Sequence, residues 1–485
     1  MPHHLPIAII GAGPVGLAAA AHLLARGETP LVFEAGHAIG QSIRAWAHVR
    51  VFSPWGLNVD QAAATLLTAA GWKHPPKETL PTGGEFVEQY LEPLASLPEM
   101  RRHIHVRTRV IGVTRKGYDK VRTADRAQQP FVVRISAPDG QEQAAEAKAI
   151  IDASGTWTSP NPAGADGLPA IGECAAADRI FYGIPDVLGA LRPRYAGQTT
   201  MVVGSGHSAL TGLLELAELK MSAPDTRILW IMRKPHFEAA FGGDAADALP
   251  ARGALGMQAR ALVEGGAVQV VSPFRIHQIE RQTESALCVI GDHAGVEARI
   301  DVDQIIVATG FRPDFSFLRE IRLSVDPWLE SSGTIGPLID PNLHSCGTVR
   351  PHGAMELAHP EPGFFIVGMK SYGRAPTFLL ATGYEQVRSV VAALTGDVEA
   401  AMRVVLQLPE TGVCSTRPLG STVLHPLTLV QAASCCGGPA PAESDACCVQ
   451  DAEAKATGQA GCGCGSVDAA AAAPAPAACG AKAGG

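Results

Sequence analysis

Residues 6–34 read PIAIIGAGPVGLAAAAHLLARGETPLVFE, and this stretch decides the fold. Pro6–Ile10 is a short apolar run, consistent with a buried strand. It leads into Gly11-Ala12-Gly13-Pro14-Val15-Gly16 and then an alanine-rich helix, Leu17 to about Arg26, closed by Gly27. Pro30–Phe33 supplies the next strand, which finishes at Glu34. Strand, glycine turn, helix, strand and acid in this order form a dinucleotide-binding half-fold. Gly11 permits the tight turn, Gly13 lets backbone approach a pyrophosphate, and Gly16 lets the helix pack closely on the strand. The helix N-terminus, with Pro14 in its loop, offers unpaired N–H groups and a positive dipole end to phosphates. Glu34 is placed to accept ribose hydroxyls and to repel a 2′-phosphate, which suits FAD or NAD rather than NADP.

A second copy of the pattern follows. Thr200–Val203 runs into Gly204-Ser205-Gly206-His207-Ser208-Ala209 and an apolar helix, Leu210 to about Leu219. The next strand, Arg227–Met232, ends in Arg233-Lys234 where the first copy has Glu34. Two cations there favour a 2′-phosphate, so this site reads as NADPH. Ala209 stands for the third glycine, which the fingerprint allows. His207 reads as a neighbour of the phosphates or as a base; the residues alone leave both open.

The chain has 485 residues, 39 Lys and Arg against 47 Asp and Glu, and a formal net charge of −8. That balance leaves no electrostatic footprint for nucleic acid or an anionic membrane. No apolar run reaches the roughly 18 residues of a membrane span, and no basic n-region precedes Pro6, so a soluble cytoplasmic protein is expected. The 52 Gly and 36 Pro mark part of the chain as low-complexity. Seven of the 11 cysteines lie beyond residue 430: Cys435, Cys436, Cys447, Cys448, Cys462, Cys464 and Cys479. The last 55 residues hold no Phe, Trp or Tyr. Such composition cannot offset its ordering entropy, so a disordered, Cys-rich C-terminal tail is expected over residues 406–485.

These features resemble the two-dinucleotide-binding-domain flavoproteins, most closely the flavin-containing monooxygenases, over about residues 5–400. Asp152-Ala153-Ser154-Gly155-Thr156-Trp157 with Pro160 is similar to that family's first crossing between domains. Ile305-Ile306-Val307-Ala308-Thr309-Gly310-Phe311-Arg312-Pro313 is similar to its second. Leu80-Pro81-Thr82 before a helix Glu85–Tyr90, and Gly363–Met369 before a helix from about Pro376, resemble further family segments. The resemblance implies an α/β fold in which an FAD-binding Rossmann-like domain (1–195 and 306–405) carries an inserted NADPH-binding Rossmann-like domain (196–305). It places Gln41, Trp46, Gly155, Thr309, Gly310 and Gly368 beside the cofactors, with the N-terminus of the helix from about Pro376 facing the flavin.

Two positions depart from the monooxygenase pattern. After Phe181-Tyr182-Gly183, Val187 occupies the place of a histidine, and in Val49–Pro54 the catalytic asparagine is Phe52. A disulfide reductase of this fold needs Cys-x-x-Cys or Cys-x-x-x-x-Cys beside the flavin, and residues 1–434 contain neither. Phe52-Ser53-Pro54-Trp55 and Gly368–Arg374 resemble an arsenic-resistance-associated branch of flavin-dependent monooxygenases. The resemblance implies that NADPH reduces FAD and that molecular oxygen then oxygenates a small soft nucleophile such as a trivalent arsenical. The vicinal pairs Cys435-Cys436 and Cys447-Cys448 are soft-ligand candidates for a thiophilic metalloid on the tail, or electron acceptors for the reduced flavin. His344, Cys346 and His352 sketch a metal site or a polar loop, and His359 a turn. Arg50 and Arg374 read as contacts to flavin or an anionic substrate, or as structural arginines.

Overall fold

The computed structural model describes residues 5–236, 238–242, 249–343, 351–376 and 378–406. The tail cysteines lie outside the described residues, as do His344 and Cys346. The expected disorder of the tail therefore concerns residues that the structure does not describe.

Strand β1 (Ile7–Ile10) is buried along its whole length and leads directly into helix α1 (Pro14–Ala25). The helix is alanine-rich and buried nearly all round, wedged between the sheet and the helices Gln61–Ala69 and Leu380–Leu394. Its end is set by Gly27 at a left-handed φ of 73°: the N–H groups of Gly27 and Glu28 return to the carbonyls of Leu24 and Leu23. Strand β2 (Pro30–Phe33) then pairs parallel with β1, Ile7 opposite Pro30 and Ile10 opposite Phe33.

The remaining strands are β3 (Ile104–His105), β4 (Arg109–Arg115), β5 (Phe131–Ser136), β6 (Glu142–Ala147), β7 (Ala149–Asp152) and β8 (Ile180–Tyr182). They continue as β9 (Thr199–Val203), β10 (Arg227–Ile231), β11 (Gln269–Val271), β12 (Phe274–Arg281), β13 (Leu287–His293), β14 (Val296–Val302), β15 (Gln304–Val307) and β16 (Phe364–Ile366). Two parallel sheets result, in the orders β16-β7-β1-β2-β3 and β11-β10-β9-β15-β8. In each, the glycine-loop strand lies inside, so its carboxyl end opens on a crevice where the strand order reverses. Antiparallel ribbons β4-β5-β6 and β12-β13-β14 are attached to the first and second sheet respectively.

The architecture is the mixed α/β one expected. Two helix starts differ. The helix expected at Glu85 starts at Gly83, because Thr82 and Glu85 form a reciprocal cap: Thr82 Oγ1 accepts from the Glu85 N–H at 3.1 Å, and Glu85 Oε2 from the Thr82 N–H at 2.7 Å. The helix expected from about Pro376 starts at Leu380. Leu379 is extended there, and the Phe378 ring packs edge-on against Tyr372 at 5.2 Å.

Candidate functional site

The two glycine loops face one continuous cavity of about 1190 Å³. Its wall includes Gly11, Gly13, Pro14, Glu34, Gln41, Trp46, Gly155, Gly204, Ser205, Gly206, Ser208, Arg233, Lys234, Thr309, Gly310 and Gly368. Residues 357 positions apart in sequence thus share one space. Gly16 is not on the wall. A Cβ there would lie 2.0 Å from the Gly11 carbonyl oxygen, so its role is close packing of α1 on the loop.

The local geometry explains each loop. Gly11 has φ 102°, and a side chain would also meet the Ala153 carbonyl oxygen at 2.7 Å. Gly204 repeats this at φ 134°, its absent Cβ 2.3 Å from the Ala308 oxygen. At Gly13 and Gly206 the opposite holds: a Cβ would meet nothing within 4 Å. Both glycines stand at helix N-caps with no side-chain cap, so the first-turn N–H groups face open space. That is the shape and charge of a pyrophosphate cradle, present twice.

The acid and the cations stand at the far ends of these cradles. Glu34 Oε2 accepts from the Ala12 N–H at 2.8 Å and Oε1 from the Gly36 N–H at 2.7 Å, which holds the carboxylate against the first loop. Gln41 lies on the same wall, and its Oε1 is buried without a hydrogen-bond partner. Trp46 owes its position to Gly83, where a Cβ would lie 2.7 Å from the indole ring. In the second site Trp230, fully buried, donates its Nε1–H to the Gly204 carbonyl at 2.7 Å and anchors the loop. Arg233 and Lys234 are exposed at the rim, with Arg233 Nη1 donating to the Ala165 carbonyl at 2.7 Å. An acidic first site and a cationic second site fit FAD and NADPH respectively.

Between the cradles the wall turns aromatic. Trp157 and Phe311 stack at 4.6 Å, and Phe52 lies 5.3 Å from the His207 ring. Phe52, Trp157, His207, Phe311, Arg374 and Phe378 all line the cavity. Arg50 does not; it pairs with the Leu80 carbonyl and, at 3.8 Å, with Glu85. Val187 is fully buried in the core around Trp230, away from the cavity wall. Of the two cysteines described, Cys174 is exposed and Cys288 buried, and among the described residues no cysteine lines the cavity. His352 is buried with Nδ1 3.1 Å from the Tyr372 hydroxyl, and His359 Nδ1 accepts from the Ser324 N–H at 3.2 Å. Burial pushes His359 down to about 4, so it is neutral in the fold.

One feature beside the cavity, in contact with Ser154 and Phe317 of its wall, had no sequence signal. Lys370 and Asp152, both fully buried, form an ion pair at 2.7 Å, and Ser154 Oγ donates to Asp152 Oδ1 at 2.6 Å. The Lys370 ammonium also lies 4.5 Å from the centre of the Phe317 ring. Asp152 ends β7 and Lys370 follows β16, so only the pairing of those strands brings them together.

Fold and cavity together define a two-dinucleotide flavoprotein. The family profile of pyridine nucleotide-disulphide oxidoreductases matches residues 8–334, and the chain belongs to that family. Among curated proteins none matches it. Similar solved structures include the bacillithiol disulfide reductase of Bacillus cereus, at 19% identity and TM-score 0.58 over 81% of this chain and 99% of that one. The cadaverine monooxygenase of desferrioxamine biosynthesis from Erwinia amylovora, solved with FAD, has 14% identity and TM-score 0.57, covering 86% and 99%. A flavin monooxygenase from Stenotrophomonas maltophilia has 20% identity and TM-score 0.51, covering 81% and 98%. Reductases and monooxygenases thus share this fold. Among the described residues, no helix is long and apolar enough to cross a membrane.

Proposed function

We propose that the protein is an FAD- and NADPH-dependent flavin monooxygenase acting on a small, soft nucleophile, with a trivalent arsenical as the leading substrate. The observation that carries this reading is an aromatic cavity that joins both cradles and, among the described residues, has no cysteine on its wall. The loop Gly11–Gly16 with Glu34, Gln41, Trp46, Gly155, Gly310 and Gly368 would hold FAD. Gly204, Ser205, Gly206 and Ser208 would take the NADPH pyrophosphate, and Arg233 and Lys234 its 2′-phosphate. Bound together, the two supply hydride transfer to flavin and activation of molecular oxygen. The chain's own part is to orient the rings, to exclude water with Phe52, Trp157, Phe311 and Phe378, and to set Arg374 on the wall. The test is NADPH oxidation by the FAD-loaded protein, with oxygen uptake, arsenite oxidation and peroxide measured together. Oxidised arsenical formed one-for-one with NADPH supports the proposal; peroxide in its place, unaffected by arsenite, overturns it.

A second reading rests on the seven cysteines between residues 435 and 479 and on the likeness to a disulfide reductase. Electrons would pass from flavin to tail thiols, and Cys435→Ser with Cys436→Ser would abolish turnover while the monooxygenase reading leaves it intact. As a third role, Cys435, Cys436, Cys447 and Cys448 would bind a thiophilic metalloid. A chain ending at residue 430 would then oxidise NADPH normally but lose As(III) binding, and unchanged binding would remove that role.

A further inference from the structure

The loop 163–170 runs beside Arg233: Ala163, Gly164 and Gly167 line the cavity, and the Ala165 carbonyl accepts from Arg233 Nη1 at 2.7 Å. The loop is folded tightly on itself. A Cβ at Gly164 would lie 2.0 Å from the Leu168 carbonyl oxygen, and Gly167 has a φ of 89°. With no strand or helix in it, its N–H groups need partners of other kinds. The Ala165 N–H donates to the Ile276 carbonyl at 2.9 Å, and the Leu168 N–H to Asp166 Oδ1 at 3.0 Å. Three more converge on one fully buried side chain, Glu173. Its Oε1 accepts from the Ala163 N–H at 2.9 Å, and its Oε2 from those of Gly164 at 3.3 Å and Ala170 at 2.7 Å. The Tyr182 hydroxyl also donates to Oε1, at 2.7 Å.

Glu173 thus holds both the residues that enter the loop and the one that leaves it, with Ala165 between them. Four donors fill the acceptor capacity of a carboxylate. A side chain with fewer acceptors leaves buried N–H groups unpaired, a cost that the loop escapes only by opening toward water. Opening displaces the Ala165 carbonyl, which is the one hydrogen-bond partner of the Arg233 side chain among the described residues. The loop's own acid, Asp166, turns back onto Leu168. One N–H of the Arg233 guanidinium therefore serves as a tether, and the rest of the fork stays available to an anion. Lys234 is not seated in this way: its carbonyl takes the Ser272 hydroxyl, and among the described residues its side chain has no hydrogen bond to the loop.

We propose that Glu173 is a positioning residue for the 2′-phosphate of NADPH, acting through the loop 163–170 on Arg233. This rests on the reading of Arg233 and Lys234 as the 2′-phosphate site. The test titrates the FAD-loaded protein calorimetrically with 2′,5′-ADP and with 5′-AMP, which lacks the 2′-phosphate. The wild type should bind 2′,5′-ADP at least about 30-fold more tightly than 5′-AMP. Arg233→Ala should cut that preference by about tenfold and Glu173→Gln by about fivefold, both with 5′-AMP affinity nearly unchanged. Because Glu173 acts through Arg233, adding Glu173→Gln to Arg233→Ala should cost less than about a further twofold. Glu173→Asp, one methylene short of the loop, gives the same expectation should the glutamine variant fail to fold. A merely structural role would weaken both ligands equally. That result, an unchanged preference in the variant, or a full second loss in the double variant overturns the role of Glu173. A wild type without the preference refutes instead the 2′-phosphate reading of Arg233 and Lys234, and the inference with it.

Discussion

Gly13 and Gly206 hold equivalent positions in the two loops, and at each a methyl group would enter open space rather than protein. Gly13→Ala should therefore fold normally but purify without flavin absorbance. Gly206→Ala should keep flavin while its KM for NADPH rises at least about tenfold, since a methyl there displaces the phosphates rather than the chain. Gly16→Ala is of another kind, because its Cβ would lie 2.0 Å from backbone. Its effect is on folding, on the order of 2–3 kcal/mol in urea denaturation, whether or not ligand is present. At the rim, replacing Arg233 and Lys234 by Ala should lower kcat/KM for NADPH by at least about 30-fold and leave NADH nearly unchanged, since charge-assisted bonds to one phosphate are lost.

Between elements, the buried pair Lys370–Asp152 ties the end of β7 to the turn after β16. Lys370→Met would leave the Asp152 carboxylate buried without its cation, with a loss of about 3–5 kcal/mol. Lys370→Met combined with Asp152→Leu should recover a large part of that loss, and urea denaturation of the three proteins checks it. A second buried cluster does similar work nearby. Glu361 receives Arg115 Nε at 2.8 Å and also pairs with Arg126, pinning the β4-β5-β6 ribbon to the segment before β16. Burial alone would raise the Glu361 carboxyl, but the two guanidinium groups overcome it and hold it below the usual range. These clusters were not legible in the sequence. Lys370 and Asp152 are 218 residues apart, and neither lies in a pattern whose period or spacing marks the other.

Across the molecule, a buried and a half-buried titrating group act on stability in opposite senses. His359 is pushed down to about 4 from 6.5, chiefly by burial. The unfolded chain therefore takes up the proton first as pH falls, and stability declines from about pH 6.5 toward 4, by about 3 kcal/mol in all. Glu215 is pushed up to about 7 from 4.5 by burial, then by Asp186 and Glu218. There the folded chain holds the proton, so stability declines as pH rises from about 4.5 to 7, by a similar amount. Over about pH 4.5–6.5 the two nearly cancel. Glu215→Gln should therefore make the protein less stable on acidification through that range, and His359→Phe less stable as pH rises through it. Thermal melts at several pH values read both slopes, and parallel slopes in wild type and variants would refute the account.

The sequence by itself determined the two glycine loops, the helices behind them and the acid-against-cation contrast at their ends. Each lies within about 35 consecutive residues, where spacing and local chemistry suffice. It also indicated Trp46, Thr309, Gly310 and Gly368 through family likeness, and the structure brings these to the same cavity. Only the tertiary structure decided that both loops open on one space, that Arg50 stands off it while Arg374 lines it, and that Val187 belongs to the core. The same is true of the Trp157–Phe311 stack, the Lys370–Asp152 pair and the hydrogen bond from the Asn161 side chain to the Thr309 carbonyl. These depend on chain segments 148 to 218 residues apart meeting at the ends of two parallel sheets. Contacts of that range are set by strand order and register, which no local pattern of residues encodes.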